Sequence, residues 1–452
     1  MHPLDLTADQ VISALLAIAE TEPVCVLDSC GVGHLGSHLL IAGIEPVDAQ
    51  GITNQNVGET LAFLDSISTS NLASIFTISY DFGMKLQRIP QRHKLTAMSP
   101  EPDIYVASFD VLVVHDYESG QTFLTGDAGK FLGISRKLRS KISDLKTEIS
   151  DIDVAASSNF TKGDYLAAIE TIKERIRRGD TYQTNLTQQL TVKLSNGVSP
   201  AAVFSRLRSV HPAPFSSFVQ RQDSTVISAS PERFFRVESN PAPLEGSRKT
   251  IRTSPIKGTR PRGPTIAYDN AMRSELRHSP KDRAENTMIV DLLRNDLGRI
   301  CEYGSVKVEK LCDLEEHPTL FHLVSTVSGT LREKIQFSDI LRAVFPCGSI
   351  TGAPKLSTMR IIDEIETTDR GLSMGAIGYS IPPNFADLEP TLDLNVAIRT
   401  MVIRDDTATF NVGGGIVIDS DPEKEYEESL LKAKALLTAL GVRTGSIEEA
   451  AN

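Results

Sequence analysis

Between Arg248 and Gly263, six cations fall within sixteen residues of a chain whose formal net charge is -11. Pro255, Gly258, Pro261 and Gly263 stiffen or sharply turn the backbone between them. Such a loop suits a small polyanion, because guanidinium groups grip carboxylates with paired donors. Lys257 is the unusual member. Cations crowded around a lysine disfavour its ammonium form, and a free amine is a nucleophile. The alternative is a solvated basic loop with no chemistry of its own.

Two acidic pairs stand out further along. Ser279-Pro280-Lys281-Asp282 is a helix start, with serine at the cap and proline at the first position. Asp282 and Glu285 are three apart and share a face, and Ile289 and Leu292 continue it. Glu285 is therefore expected to point toward the core, where a carboxylate needs a cation, a metal or a proton. Ser420-Asp421-Pro422-Glu423 opens a second helix, on which Glu425 and Glu428 are three apart with Leu431 and Ala435 on the same stripe. Two such helices facing each other are suited to magnesium held by carboxylates and retained waters. The competing reading is that acids in a first turn complement the helix dipole.

Glycine marks three more places. Phe345 to Lys355 reads as a loop entering a helix whose exposed amides form an anion site, although Pro354 rules out a Walker A loop. Val412-Gly413-Gly414-Gly415-Ile416 interrupts a β-rich run and lets backbone approach a ligand closely. Gly31-Val32-Gly33-His34-Leu35-Gly36 matches the dinucleotide fingerprint G-x-G-x-x-G, but Pro46 and Gly51 break the pattern where a long helix should follow; a glycine-rich turn is the better reading. A dinucleotide-dependent oxidoreductase is the alternative built on that match. Asp393 to Thr400 alternates like a strand and offers Arg399 as a carboxylate clamp.

The elements that must position these groups mix helix and strand. Val11–Ala19 reads as an apolar helix and Pro23–Leu27 as a strand. Ala73–Tyr80, Ile104–His115 and Thr122–Leu124 look like antiparallel strands. Composition shifts between Lys137 and Phe160, the best boundary between an N-terminal region and a C-terminal one. Thr161-Lys162-Gly163-Asp164 then forms a capping box, and Leu166, Ile169, Ile172 and Ile176 carry helical periodicity up to Gly179. Strands are expected at Gln183–Val192, Ser216–Gln220, Thr225–Ala229 and Arg233–Val237.

With 452 residues, 40% hydrophobic and 23% charged, the chain can bury a large core. No apolar run approaches the ~20 residues needed to span a bilayer. The N-terminus carries no basic-then-apolar signal pattern, and the five cysteines are scattered and odd in number, which fits reduced thiols in a cytoplasm. Net acidity argues against nucleic acid as a partner.

Six motifs appear in order: Ser230-Pro231-Glu232-Arg233-Phe234, Pro255-Ile256-Lys257-Gly258-Thr259-Arg260, Lys281-Asp282-Arg283-Ala284-Glu285-Asn286, Arg294-Asn295-Asp296-Leu297-Gly298-Arg299, His322-Leu323-Val324-Ser325, and Gly348-Ser349-Ile350-Thr351-Gly352-Ala353-Pro354-Lys355. Together they resemble the chorismate-utilising enzymes, a family that includes anthranilate, aminodeoxychorismate, isochorismate and salicylate synthases. The resemblance is strong from about Thr161 to Leu440 and looser before it. It implies an N-terminal family-like region over 1–150 and a chorismate-binding catalytic region over 161–440. The implied fold is α+β: two large antiparallel sheets packed face to face with flanking helices, built from both halves of the chain.

The resemblance also assigns roles. Gly258, Thr259, Tyr379, Arg399 and Gly413, Gly414 and Gly415 would hold chorismate. Glu285, Glu425 and Glu428 would hold Mg2+, with Asp282 near them. Anthranilate synthases resemble this sequence but carry alanine where Lys257 stands. Isochorismate and salicylate synthases carry a lysine base where Gln183 stands. Lysine at the first position and glutamine at the second resemble the aminodeoxychorismate synthase component I branch. There Lys257 would attack C2 of chorismate while Glu232 protonates the departing 4-hydroxyl; ammonia would then enter at C4 and expel the lysine. The product, 4-amino-4-deoxychorismate, is a folate and para-aminobenzoate precursor, and pyruvate elimination would need a separate lyase. Anthranilate synthase component I is the rival within the family.

The chain shows no glutaminase set, so a glutamine amidotransferase partner would supply ammonia. Some positions depart from the family. Ser239–Ser247 reads as an insertion, Ser254 replaces a frequent arginine, and Cys347 replaces a frequent glycine. Val26-Leu27-Asp28-Ser29 alters the acid of the family's regulatory tryptophan motif.

Overall fold

In this computed structural model the described residues are 1–33, 38–53, 56–92, 101–142, 156–195, 197–239, 248–316, 320–385, 388–389, 391–442 and, for the backbone alone, 447–448. The Ser239–Ser247 insertion falls almost wholly outside them, as does the second half of the Gly31–Gly36 match.

Two antiparallel sheets, one of thirteen strands and one of ten among the described residues, pack face to face. A short parallel pairing of 447–448 with Ala156 and Ser157 is added at one edge. The space between the sheets is filled by Cys25, Ile41 and Val226 from the larger sheet and Ile75, Ala107 and Ile377 from the smaller. Helices Ala8–Ile18, Pro200–Val210 and Pro422–Ala439 cover the outer face of the larger sheet. Pro280–Gly298, Phe337–Val344 and Lys355–Ile365 cover the other. Burial on both faces explains why strands such as Ala73–Ile78 are apolar or small throughout instead of alternating.

Both sheets take strands from both halves of the chain. Val24–Asp28 lies beside Phe215–Gln220, and Ala73–Ile78 beside Ala376–Ile381. The expected strand Ile104–His115 is two strands in different sheets, Ile104–Phe109 and Val111–Asp116, with Asp110 alone making the crossing. The chain crosses between sheets again at Pro231-Glu232 and at Ala397-Ile398-Arg399. These two crossings lie side by side, joined by the Val396 N–H donating to the Glu232 carbonyl. After Gly33 the chain enters the strand Leu39–Ile44, antiparallel to Val24–Asp28, where a dinucleotide fold requires a helix. The glycine-rich turn is what the described residues show. No described helix is long and apolar enough to cross a membrane.

Candidate active site

The strand carrying Lys257, Ile256–Pro261, continues the line of Lys249–Thr253 along one edge of Leu320–Thr330. The break between them is marked by Ser254, Pro255 and an irregular register from Ile256 to Thr259. Gly258 has a φ of +85°, and a Cβ there would lie 2.9 Å from Asp282, so the turn that aims Lys257 requires glycine.

The cations of this loop do not crowd Lys257. Arg260 pairs with Glu275 and Asp282, Arg262 with Asp269, and Arg252 with Glu238 and Glu309. The charged groups on which Lys257 acts are carboxylates: Glu232, Glu285 and Glu428. Each of these three arginines finds an acid on a neighbouring strand or helix, so their charge is paired and the lysine faces acids.

Glu232 sits on the crossing beside Arg399, 6% exposed. Burial raises its pKa, while Lys257, the Ser349 side chain and the Ile256 backbone act in the opposite sense. Among the described residues its Oε1 has no hydrogen-bond partner. Ser349 joins acid and amine, because the Lys257 Nζ donates to the Ser349 carbonyl at 3.3 Å. The Ser349 loop is buried from Phe345 to Ala353, not exposed as its glycines led us to expect. It is clamped at Gly348 against Leu292 and tied down by Lys355, whose Nζ donates to Asp296 at 2.6 Å and to the Val344 carbonyl at 2.8 Å.

The loop leads on to the glycine strand. Ala353 pairs with Gln183 at the start of Gln183–Lys193, which pairs with Thr407–Ile416 and so with Gly413, Gly414 and Gly415. A Cβ on Gly415 would strike the Gln183 side-chain nitrogen at 2.1 Å, and one on Gly413 the Leu186 carbonyl at 1.9 Å. Gln183 also has a buried Oε1 without a partner among the described residues. A Cβ on Gly414 would stand 3.3 Å from the Glu425 carboxyl, 3.5 Å from Lys432 and 3.9 Å from Glu428. The glycine strand therefore lies directly on the second acidic helix.

The ring closes between the two helices. Both start as the sequence predicts, with the Ser279 and Asp421 side chains capping. Glu425 is buried and accepts from the Ser420 hydroxyl at 2.7 Å. Burial raises the pKa of both Glu285 and Glu425; Asp282 and Glu425 push Glu285 further, and Glu428 pushes Glu425. At Glu428 burial also opposes ionisation, but Lys432, 2.8 Å away, holds its carboxyl below the usual range. Among the described residues no three metal-ligating side chains close into a formed cluster. Asp282 is held by Arg260 at 3.1 Å.

Thr259 meets the His322 ring nitrogen at 2.9 Å. Arg399 has a φ of +48° in the crossing instead of lying within a strand, and its guanidinium is 2.6 Å from His211 Nε2. Burial and then Arg399 push the His211 pKa down to about 4, so the ring is neutral and accepts.

Tyr379 is not brought to this ring. It lies level with Asp393, Arg236 and Arg252, three strands from the lysine strand, and Lys257 is five residues further along. At ~4.8 Å per strand and ~3.3 Å per residue the separation is roughly 20 Å. Tyr379 instead lines a cavity between the sheets with Leu27, Asp28, Ser29 and Asp393. Sequence reasoning gave no role to Ser349, Lys281 or Lys432; the one available signal was the i, i+4 spacing of the lysines to Glu285 and Glu428.

A family model described as chorismate binding enzyme matches residues 35–438. The chain belongs to the chorismate binding enzyme family. It is 34% identical over 445 residues to aminodeoxychorismate synthase component 1 of Bacillus subtilis, covering 90% of each chain. It is also 36% identical over 371 residues to anthranilate synthase component 1 of Aquifex aeolicus, covering 78% of this chain and 72% of that one. The solved anthranilate synthase component I of Streptococcus pneumoniae superposes with a TM-score of 0.73 at 26% identity, covering 89% of this chain and 93% of its own.

Proposed function

We propose that the chain is a component I-type aminodeoxychorismate synthase, converting chorismate and ammonia to 4-amino-4-deoxychorismate. Overall identity supports this branch and the anthranilate branch about equally. The observation that carries the choice is Lys257, held by the Ser349 carbonyl beside Glu232, a buried acid whose pKa burial raises. As the free amine, the Lys257 nitrogen adds its lone pair to C2, both ring double bonds shift one place toward C4, and the 4-hydroxyl leaves as water with the proton of Glu232. Ammonia then bonds to C4, both double bonds shift back, the lysine departs from C2 as the free amine, and the Glu232 carboxylate recovers a proton from the incoming nitrogen. Gln183 in place of a second lysine leaves no base to activate water there. The Glu232 and Gln183 Oε1 atoms, which have no hydrogen-bond partner among the described residues, suit a polar ligand.

The hard oxygen donors of Glu285, Glu425 and Glu428, two of them raised in pKa by burial, fit Mg2+. When bound, it supplies positive charge to the substrate's ring carboxylate. Gly413 to Gly415 let that carboxylate approach the strand, and Arg399 is a second anion partner.

The deciding experiment supplies chorismate, Mg2+ and ammonium to the purified chain and identifies the product. Aminodeoxychorismate without pyruvate release is the expected result; fluorescent anthranilate with pyruvate would assign the chain to the rival branch. In the cytoplasm, a glutamine amidotransferase subunit would deliver the ammonia. The isolated chain should use ammonium salts, better at high pH, and not glutamine until that subunit is added. Robust turnover on glutamine alone would remove the partner.

A further inference from the structure

Lys281 lies in the first turn of helix Pro280–Gly298, between the two acidic helices. Its Nζ is 4.0 Å from Glu285 Oε1 on its own helix and 3.9 Å from Glu425 Oε1 on the facing one. Its charge acts on Glu285, Glu425 and Glu428 alike. Lys432 provides a contrast. It is anchored by Glu428 at 2.8 Å and by the Gly413 carbonyl at 2.9 Å, so its charge is committed. Lys281 stands at the outer limit of ion-pair distance from both acids, and its side chain is 60% exposed. The field of the carboxylates holds it, and its four-carbon stem has open water to swing into.

We propose that Lys281 is an internal stand-in cation: in the metal-free protein it spans the gap between Glu285 and Glu425, and a divalent metal must displace it to bind. The inference rests on the Mg2+ part of the proposed function. The carboxylates facing the gap, Asp282 included, repel one another, and Arg260 offsets only Asp282. Lys281, some 4 Å from two of them, neutralises them weakly beside the charges of Lys257 on Glu285 and Glu428 and of Lys432 on Glu425 and Glu428; a divalent ion at oxygen-contact distance brings twice the charge of one ammonium much closer. The lysine thus keeps the helices together without metal and weakens metal affinity by competition. The same charge that opposes the metal also prevents the acids from forcing the helices apart before it arrives.

The test uses the full chain stripped with chelator, titrated with Mn2+ by electron paramagnetic resonance and melted with and without saturating Mg2+. Lys281→Gln should bind Mn2+ about three- to tenfold more tightly than the unsubstituted chain. Its Tm should be lower in chelator and equal to that of the unsubstituted chain in Mg2+, because only the metal-free form uses the lysine. Lys281→Arg, which retains the charge and adds a fork, should bind Mn2+ no more tightly than the unsubstituted chain. Unchanged or weaker Mn2+ binding by Lys281→Gln, or an equal Tm loss with and without Mg2+, would overturn the proposal. Absence of any Mn2+ binding by the unsubstituted chain would instead remove the metal assignment itself, and that titration comes first.

Discussion

Glu366 and Glu232 are both shielded from water, at 4% and 6% exposure, but their surroundings differ in kind. Glu366 accepts from the Thr187 N–H and hydroxyl at 2.8 and 2.9 Å and from Arg370 at 2.7 and 2.9 Å. Arg370 in turn donates to the Ile350 and Asn185 carbonyls and lies 4.6 Å over the Tyr80 ring. In that network both Glu366 oxygens and all three Arg370 guanidinium nitrogens are bonded, and it ties the Ser349 loop to the strand Gln183–Lys193. Among the described residues Glu232 keeps an unpartnered oxygen, a raised pKa and a lysine bonded to a backbone carbonyl alone. A closed network of buried charge holds the fold, whereas an incomplete one keeps a group available for a ligand.

Lys257→Ala should break the open side with the largest effect. Aminodeoxychorismate formation should fall by about a thousandfold or more, with the thermal transition unchanged. Normal synthesis by this variant would eliminate the covalent role of the lysine.

The closed side should respond in stability. Arg370→Met strands Glu366 as a buried charge and should cost about 3–5 kcal/mol in denaturant unfolding. Glu232→Gln should leave stability near that of the unsubstituted chain while abolishing turnover. Because the Glu232 pKa is raised in the folded chain, the stability it contributes is present at low pH and lost as pH rises through the folded value. Glu232→Gln should therefore gain on the unsubstituted chain as pH increases. Equal destabilisation by both variants would erase the distinction between the two networks.

At the acidic helices, Glu285→Gln or Glu428→Gln should raise the Mg2+ needed for half-maximal rate on the order of tenfold, since each removes one ligand charge. An unchanged titration in both would return these acids to a helix-dipole role.

The smallest effect expected is on pH. Glu285 and Glu425 must ionise to bind metal, and both are raised above the ordinary 4.5. Mn2+ affinity should thus weaken on acidification, starting at a pH above that at which an ordinary carboxylate titrates. Affinity that does not fall as the pH is lowered through the carboxylate range would mean the acids are not its ligands.

Much of this was local enough to be legible in the sequence. The caps at Ser279 and Asp421 and the i, i+3 spacing fixed which acids share a helix face, and the glycine run marked the strand that backbone contacts crowd. The order of motifs identified the family before any contact was known. Tertiary structure alone decided which of these features meet. Lys257 and Ser349 are 92 residues apart, and sheet register brings them together. The same packing set Tyr379 three strands away, placed carboxylates beside Arg252, Arg260 and Arg262, and left Lys281 between helices whose acids are far apart in the chain. Spacing along an element sets the direction a side chain takes from its backbone; only the packing of distant elements sets what it meets there.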